Sequence, residues 1–341
     1  MNKPATIKDI ASYCGLSVAT VSRVMNDKGP IKADTAERVR QAVDALGYAP
    51  SMAARALKTA SSSVIGVILP SLTNPVFAET ASGIQQRARE QGLTPIILSS
   101  DYDLSLERSA VATLLGYQVE GVLLTVNDAA SSDALARLDK EGVPYCLMHN
   151  VPRQQVCGYI GVDNYRAAAE VAVYLADLGH RCIGMVSGDF QRTDRARDRH
   201  AGFLAGLRYR NLELAQLVQV DPVNAVGLTG EIHRVYEQAG SAPTAWFCSN
   251  DLLALATIAK LQLLGIRVPE DVSIVGFDGI QAGTLRQPNL ASIRTPNAEI
   301  GAAAVDQLLT NKRGIPGQTG RTLGHQLLMD GTVAPPPDHL S

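Results

Sequence analysis

No stretch of the sequence approaches the roughly eighteen uninterrupted apolar residues of a membrane span. The N-terminus, MNKPATIKDI, lacks the apolar centre of a secretory signal. A cytoplasmic protein with no membrane partner is expected. Cysteine is sparse: Cys14, Cys146, Cys157, Cys182 and Cys248 are odd in number and scattered, without C-x-x-C spacing or a disulfide rhythm. They read as small buried residues in a reducing compartment. Catalytic signatures are missing as well. There is no Walker loop, no G-x-S-x-G, no H-E-x-x-H and no clustered set of metal ligands, so no enzyme, cofactor or metal is expected.

What the chain does have is length and an uneven charge. Its 341 residues, 46% hydrophobic and 19% charged, exceed one ordinary core and leave no room for long disorder. The net charge of −2 hides an asymmetry: residues 1–60 carry nine Lys/Arg against five Asp/Glu, or +4, which leaves −6 on the rest. A basic N-terminal piece on an acidic body suits a separate module for a polyanion, although a solvated helical face gives the same count.

The first sixty residues carry helix signals and no strand signal. Thr6-Ile7-Lys8-Asp9 is a capping box with Asp in place of the usual Glu or Gln, and the helix it opens stops at Gly15. Ser17 caps a second helix with Val21 and Val24 inward. A third spans about 33–46, with Val39, Val43 and Leu46 inward, and ends at Gly47. Residues 50–60, PSMAARALKTA, have helix propensity without an amphipathic stripe, and a serine linker follows. From Val64 onward, apolar runs alternate with amphipathic stretches. Strands are predicted over 64–70, 94–100, 121–125, 144–148, 159–163, 182–187, 244–249 and 272–278. Such βαβ alternation implies parallel sheets covered on both faces, here two side by side, with a ligand crevice at the C-terminal strand ends.

The run T-I-K-D-I-A-S-Y-C-G-L-S-V-A-T-V-S-R-V-M-N, Thr6 to Asn26, resembles the helix-turn-helix of the lactose/galactose repressor family. The likeness continues through Gly47-Tyr48-Ala49-Pro50 into Ala53–Lys58, which looks like the family's hinge helix. The resemblance implies an α/β protein with an all-α headpiece (1–60, hinge helix 51–58) and a periplasmic-binding-protein-like core (64–341) of two doubly wound subdomains. These would occupy about 64–162 with 293–323, and about 163–292 with 324–341. It also implies a homodimer on pseudo-palindromic operator DNA, with the second helix in the major groove. Val18 and Ala19 would then make apolar contacts to base edges, and Arg23 would read guanine through a bidentate pair. Thr6, Ser17, Thr20, Ser22 and Asn26 complete the DNA-contacting set and suit phosphates. Leu57 looks like the hinge leucine wedged into the minor groove, with Arg55 and Lys58 holding the adjacent backbone. Lys32 departs from the pattern by standing where the family has a capping Ser; Asp34 is its expected substitute.

Downstream, V-I-G-V-I-L-P-S-L-T-N-P-V-F-A-E (64–79), G-H-R-C-I-G-M-V-S-G (179–188), S-N-D (249–251) and I-V-G-F-D (274–278) are similar to the family's sensor core. By motif position Phe77, His149, Arg199, Asn250 and Asp278 are assigned to a small effector, a sugar or sugar derivative in view of their polar groups and aromatic wall. His149 stands where a relative has a ligand-facing aspartate, and a structural role remains open for it. Asp251 reads as a helix cap rather than a ligand contact. Arg192, Arg195 and Arg197 would suit an anionic effector, but the interleaved Asp189, Asp194 and Asp198 favour ion pairs on a solvated loop. A transport solute-binding protein is the rival reading; it would need a signal peptide where this chain has a headpiece. The tail DGTVAPPPDHLS cannot form a coiled coil, so a dimer is expected rather than a tetramer.

Overall fold

The computed structural model describes residues 5–25, 30–48, 62–152, 158–221, 227–237, 242–312 and 320–337. The chain divides into two compact units, Met1–Ser62 and Ser63–Ser341.

The first unit holds α1 (Ile7–Cys14), α2 (Val18–Met25) and α3 (Ala33–Ala45). Asp9 starts α1 by accepting from both the amide and the hydroxyl of Thr6, each at 2.7 Å. Ser17 Oγ accepts from the Thr20 amide at 3.1 Å and so caps α2. Lys32 opens α3 without a side-chain cap, and Asp34 lies in its first turn. The core is small: Ile10, Ala11, Cys14, Val21, Val39 and Ala42 are buried, and Val24, Val43 and Leu46 are only partly so. On α3 it is thus Ala42, beside Val39, that reaches the centre. Arg38 donates at 2.6 Å to the Cys14 carbonyl, placing a cation at the C-terminus of α1.

The second unit contains two six-stranded sheets. The first has the order β11-β5-β4-β3-β1-β2, built from β1 (Val64–Leu69), β2 (Thr94–Ser99), β3 (Val122–Leu124), β4 (Tyr145–Met148), β5 (Tyr159–Val162) and β11 (Arg321–Leu323). The second runs β12-β10-β9-β8-β6-β7, from β6 (Ile183–Gly188), β7 (Leu214–Val220), β8 (Ala245–Cys248), β9 (Ser273–Asp278), β10 (Ala291–Arg294) and β12 (Gln326–Leu328). All neighbours pair in parallel except β12, which runs antiparallel to β10. The eight strands predicted from apolar runs are all present. Sequence reading missed β7, β10, β11 and β12: three are edge strands with partly exposed side chains, and β10, Ala-Ser-Ile-Arg, has no continuous apolar run.

Helices α4 (Pro75–Glu90), α5 (Leu104–Gly116), α6 (Asp133–Glu141) and α12 (Asn297–Lys312) flank the first sheet. Alongside the second lie α7 (Asn164–Asp177), α8 (Asp194–Tyr209), α9 (Leu228–Glu237), α10 (Asp251–Leu263) and the single turn α11 (Gln281–Thr284). In each subdomain one helix pair packs backbone to backbone. A Cβ on Gly83 of α4 would lie 1.9 Å from the Ala298 carbonyl oxygen of α12, and one on Gly202 of α8 1.9 Å from that of Tyr165 on α7. Only glycine permits such an approach. The chain passes between the sheets after β5, after β10 and after β11, so three segments join the subdomains and the C-terminal strand ends of both face a common cleft. Cys14, Cys146 and Cys248 are buried free thiols and Cys182 is half-buried; Cys157 lies outside the described residues. Among the described residues no helix is long and apolar enough to cross a membrane, and no group of His, Cys, Asp and Glu could hold a metal ion.

Candidate functional site

Two surfaces carry the residues singled out above. On α2, Val21 faces the small core while Ser17, Val18, Ala19 and Arg23 are exposed, so one face of the helix is free to read a partner. Ser17 and Thr20 are joined through their hydroxyls at 2.8 Å, and the Thr6 hydroxyl is committed to Asp9. Ser22 is half-buried on the same helix. Asn26, Arg55, Leu57 and Lys58 lie outside the described residues.

The second surface is the cleft between the sheets, and it brings together Phe77, His149, Arg199, Asn250 and Asp278. Arg199, on the first turns of α8, is the centre of the arrangement. Its Nε donates to Asn164 Oδ1 at 2.8 Å and one terminal nitrogen donates to the Ser249 carbonyl. The other terminal nitrogen sits 3.4 Å from Asp278, and the guanidinium carbon lies 3.5 Å from the centre of the Phe277 ring. With its side chain only 12% exposed, the guanidinium is held below its ordinary pKa by desolvation, against the pull of Asp278. Desolvation likewise pushes Asp278 up to about 6, with Arg199 and Arg195 opposing it. Asp278 has φ 114°, a region costly for any residue with a Cβ, so the sheet end presents this carboxylate at the expense of backbone strain.

His149 closes the opposite wall. Its Nε2 lies 2.9 Å from the Thr80 hydroxyl, which donates its proton to the Val76 carbonyl at 2.8 Å. With that proton spent, Nε2 must carry the hydrogen, which makes Nδ1 an acceptor. Burial first, then Arg195 and Arg199, lower the pKa of His149 to about 3, so the ring stays neutral. Phe77 meets it edge-on, with centroids 5.6 Å apart. Asn150, next in sequence, does not face a ligand. It is fully buried, it exchanges hydrogen bonds with the Val126 backbone, and its amide donates to Asp194 across the subdomain boundary.

Two expectations need correction. Asn250, not Asp251, caps α10, since its Oδ1 accepts from the Leu253 amide at 2.8 Å. Asp251 instead ties α10 to the neighbouring strands, accepting from the Ile280 amide at 2.7 Å and the Ser292 hydroxyl at 2.6 Å. Burial, reinforced by Asp278, drives its carboxyl up to about 8. The arginine run is also not a uniform solvated loop. Arg192 pairs with Asp221 and Arg197 with Asp128, as ion pairs should, but Arg195 is 6% exposed and lines the cleft. Arg195 and Arg199 stand four apart on α8 and therefore share a face, a signal the sequence carried once the helix start at Asp194 is known. Asn74, Tyr102, Asn164, Thr193 and Ser249 also line the cleft and were not anticipated.

Residues 6–51 match the bacterial regulatory proteins of the lacI family, and residues 172–329 match a periplasmic binding protein-like domain. Over 308 residues the chain is 33% identical to the HTH-type transcriptional repressor PurR of Aliivibrio salmonicida, covering 89% of this chain and 91% of that relative. It is 31% identical to the HTH-type transcriptional regulator DegA of Bacillus subtilis over 304 residues, or 87% and 88% of the two chains. A solved structure of the lac repressor dimer bound to operator and an anti-inducer superposes with a TM-score of 0.86 at 27% identity, over 97% of this chain and 100% of that one. A lacI-family regulator from Enterococcus faecium with bound ribose gives 0.69 at 26% identity, over 80% and 99%.

Proposed function

The chain belongs to the lacI family of bacterial regulatory proteins, and from that premise we propose that it is a dimeric repressor whose hold on a pseudo-palindromic operator is set by a small polyhydroxylated effector. The exposed face of α2 carries the reading. Two such helices in a dimer would enter successive major grooves, each presenting Val18 and Ala19 to base methyls and Arg23 to a guanine. Leu57, Arg55 and Lys58 are assigned to the minor groove at the operator centre, and Ser17, Thr20, Ser22 and Asn26 to phosphates, with Thr6 completing the DNA-contacting set. The effector sits between the subdomains against Phe77, His149, Arg199, Asn250 and Asp278. Support for a sugar comes from the chemistry of that set: a neutral acceptor, a strained carboxylate and a fixed guanidinium suit several hydroxyls at once. The ribose in the Enterococcus faecium relative is in keeping with it. Binding there would bias the angle between subdomains and so the spacing of the two hinge segments that follow the headpieces. Arg23→Ala is expected to cost roughly 1–3 kcal/mol on the best operator and much less on random DNA. Fluorescence anisotropy on both duplexes tests it. Equal losses would show that Arg23 touches only phosphate.

A further inference from the structure

Among the described residues that line the cleft, the charged side chains are Arg195, Arg199 and Asp278, a balance of +1. The aspartate is already paired with Arg199. Four helices also begin there: Asn74 and Asn250 cap α4 and α10, Thr193 is the residue just before α8, and Asn164 is the first residue of α7. Each helix start adds a partial positive charge beside the cleft, offset in part by Asp163, Asp194 and Asp251 at the starts of α7, α8 and α10.

Arg195 sharpens this. It is 6% exposed, and its bonds run through Nη1 alone, to the Val126 carbonyl at 2.9 Å and to Asp194 at 3.2 Å. Its Nη2 is buried and has no acceptor among the described residues. Asp194 is a poor counter-ion for it. That carboxylate also accepts from the Asn150 amide on both oxygens, at 2.9 and 2.8 Å, and from the Ala129 backbone at 3.1 Å, so its charge is shared with two other donor groups. A guanidinium donor left without an acceptor in a buried site costs free energy unless something fills it.

We infer that the effector carries an anionic oxygen group, the carboxylate of a sugar acid or the phosphate of a sugar phosphate, and that Arg195 Nη2 and Arg199 receive it while Asp278 and His149 Nδ1 accept from its hydroxyls. This rests on the cleft being the effector site. An anion there adds counter-charge beside Arg195 and Arg199, meets the helix starts that line the cleft and fills the open Nη2 donor of Arg195. A neutral sugar leaves Arg195 with only the shared carboxylate of Asp194 as counter-charge and its Nη2 without an anionic acceptor.

Calorimetry on the full chain with matched series tests it: a set of aldoses, their uronic and aldonic acids, and their phosphates, each compared with its neutral parent. At least one acid or phosphate should bind tenfold or more tightly than its parent, and Arg195→Gln should erase most of that preference while Arg195→Lys retains part. Which anionic series binds tells carboxylate from phosphate. The comparison within the unaltered protein needs no variant, so it stands even if Arg195→Gln folds poorly. Parents that bind as well as or better than their anions overturn the inference and leave the effector cleft intact, as does a preference that survives Arg195→Gln in a folded variant. If no compound in any series binds, both the anionic class and the polyhydroxylated effector fall.

Discussion

The two units solve recognition in opposite ways. The headpiece keeps the residues proposed to read DNA outside: Val18 is 40% exposed and Arg23 projects from a helix whose inner face is little more than Val21. Its core of six buried residues is made from contacts within forty positions. The second unit buries the groups proposed to hold an effector. Arg195, His149 and Asp278 are each under a tenth exposed, and the last two have pKa values moved well away from the ordinary range. A duplex is long and charged and brings its own field, so exposed side chains suffice and salt screens them. A small ligand offers few atoms, so the protein must fix its polar groups in advance in a site shielded from water. Affinity for DNA is therefore compatible with a marginal fold, whereas the sensor's site is inseparable from its core.

Trp246, the chain's one tryptophan, is fully buried in the sensor, so its fluorescence follows that unit alone. The sharpest way to break the contrast is Asp278→Ala. It leaves the Arg199 guanidinium buried without a counter-charge and should destabilise the sensor by roughly 3 kcal/mol. A urea titration read at Trp246 should show the loss, while headpiece helicity is kept. An unmoved midpoint would mean that Asp278 is spent on ligand alone.

Acid should separate the units next. Folded His149 resists protonation down to about 3, whereas the unfolded chain takes the proton near 6.5. Its stabilising contribution is complete above pH 6.5 and is lost as the pH falls, by about 1.4 kcal/mol per pH unit. Asp251 and Asp278, held at about 8 and about 6, gain stability as the pH falls through the same range and do so in both proteins. Between pH 6.5 and 5 it is therefore the parent's Trp246 midpoint relative to that of His149→Gln that should fall. Parallel curves would show the ring to be charged in the folded protein.

The smallest effect belongs to the headpiece. Ser17→Ala removes the cap of α2 and should cost about 1 kcal/mol there, leaving the Trp246 transition untouched. Faster hydrogen exchange confined to α2 and its neighbours is the expected signature; exchange that is unchanged would deny the cap a role.

The amino-acid sequence by itself determined the headpiece helices and their caps, the eight strands with continuous apolar runs, and the positions of Phe77, Arg199, Asn250 and Asp278. These rest on short-range patterns: helix periodicity, strand runs and motifs a few residues long. Tertiary structure alone decided the rest. β7, β11 and β12 are half-exposed edge strands whose existence depends on a neighbour to pair with, and β10, Ala-Ser-Ile-Arg, lacks the continuous apolar run that marks those eight. Along D-R-A-R-D-R-H nothing local separates a solvated arginine from a buried one. Arg197 finds Asp128 at the surface, while Arg195 and Arg199 are turned by the same helix into the cleft. Asn150 and Asp194, 44 positions apart, are joined only because two sheets meet. Burial is a property of what packs against a residue, and here the residues that give the cleft its charge are covered by elements far away in the chain.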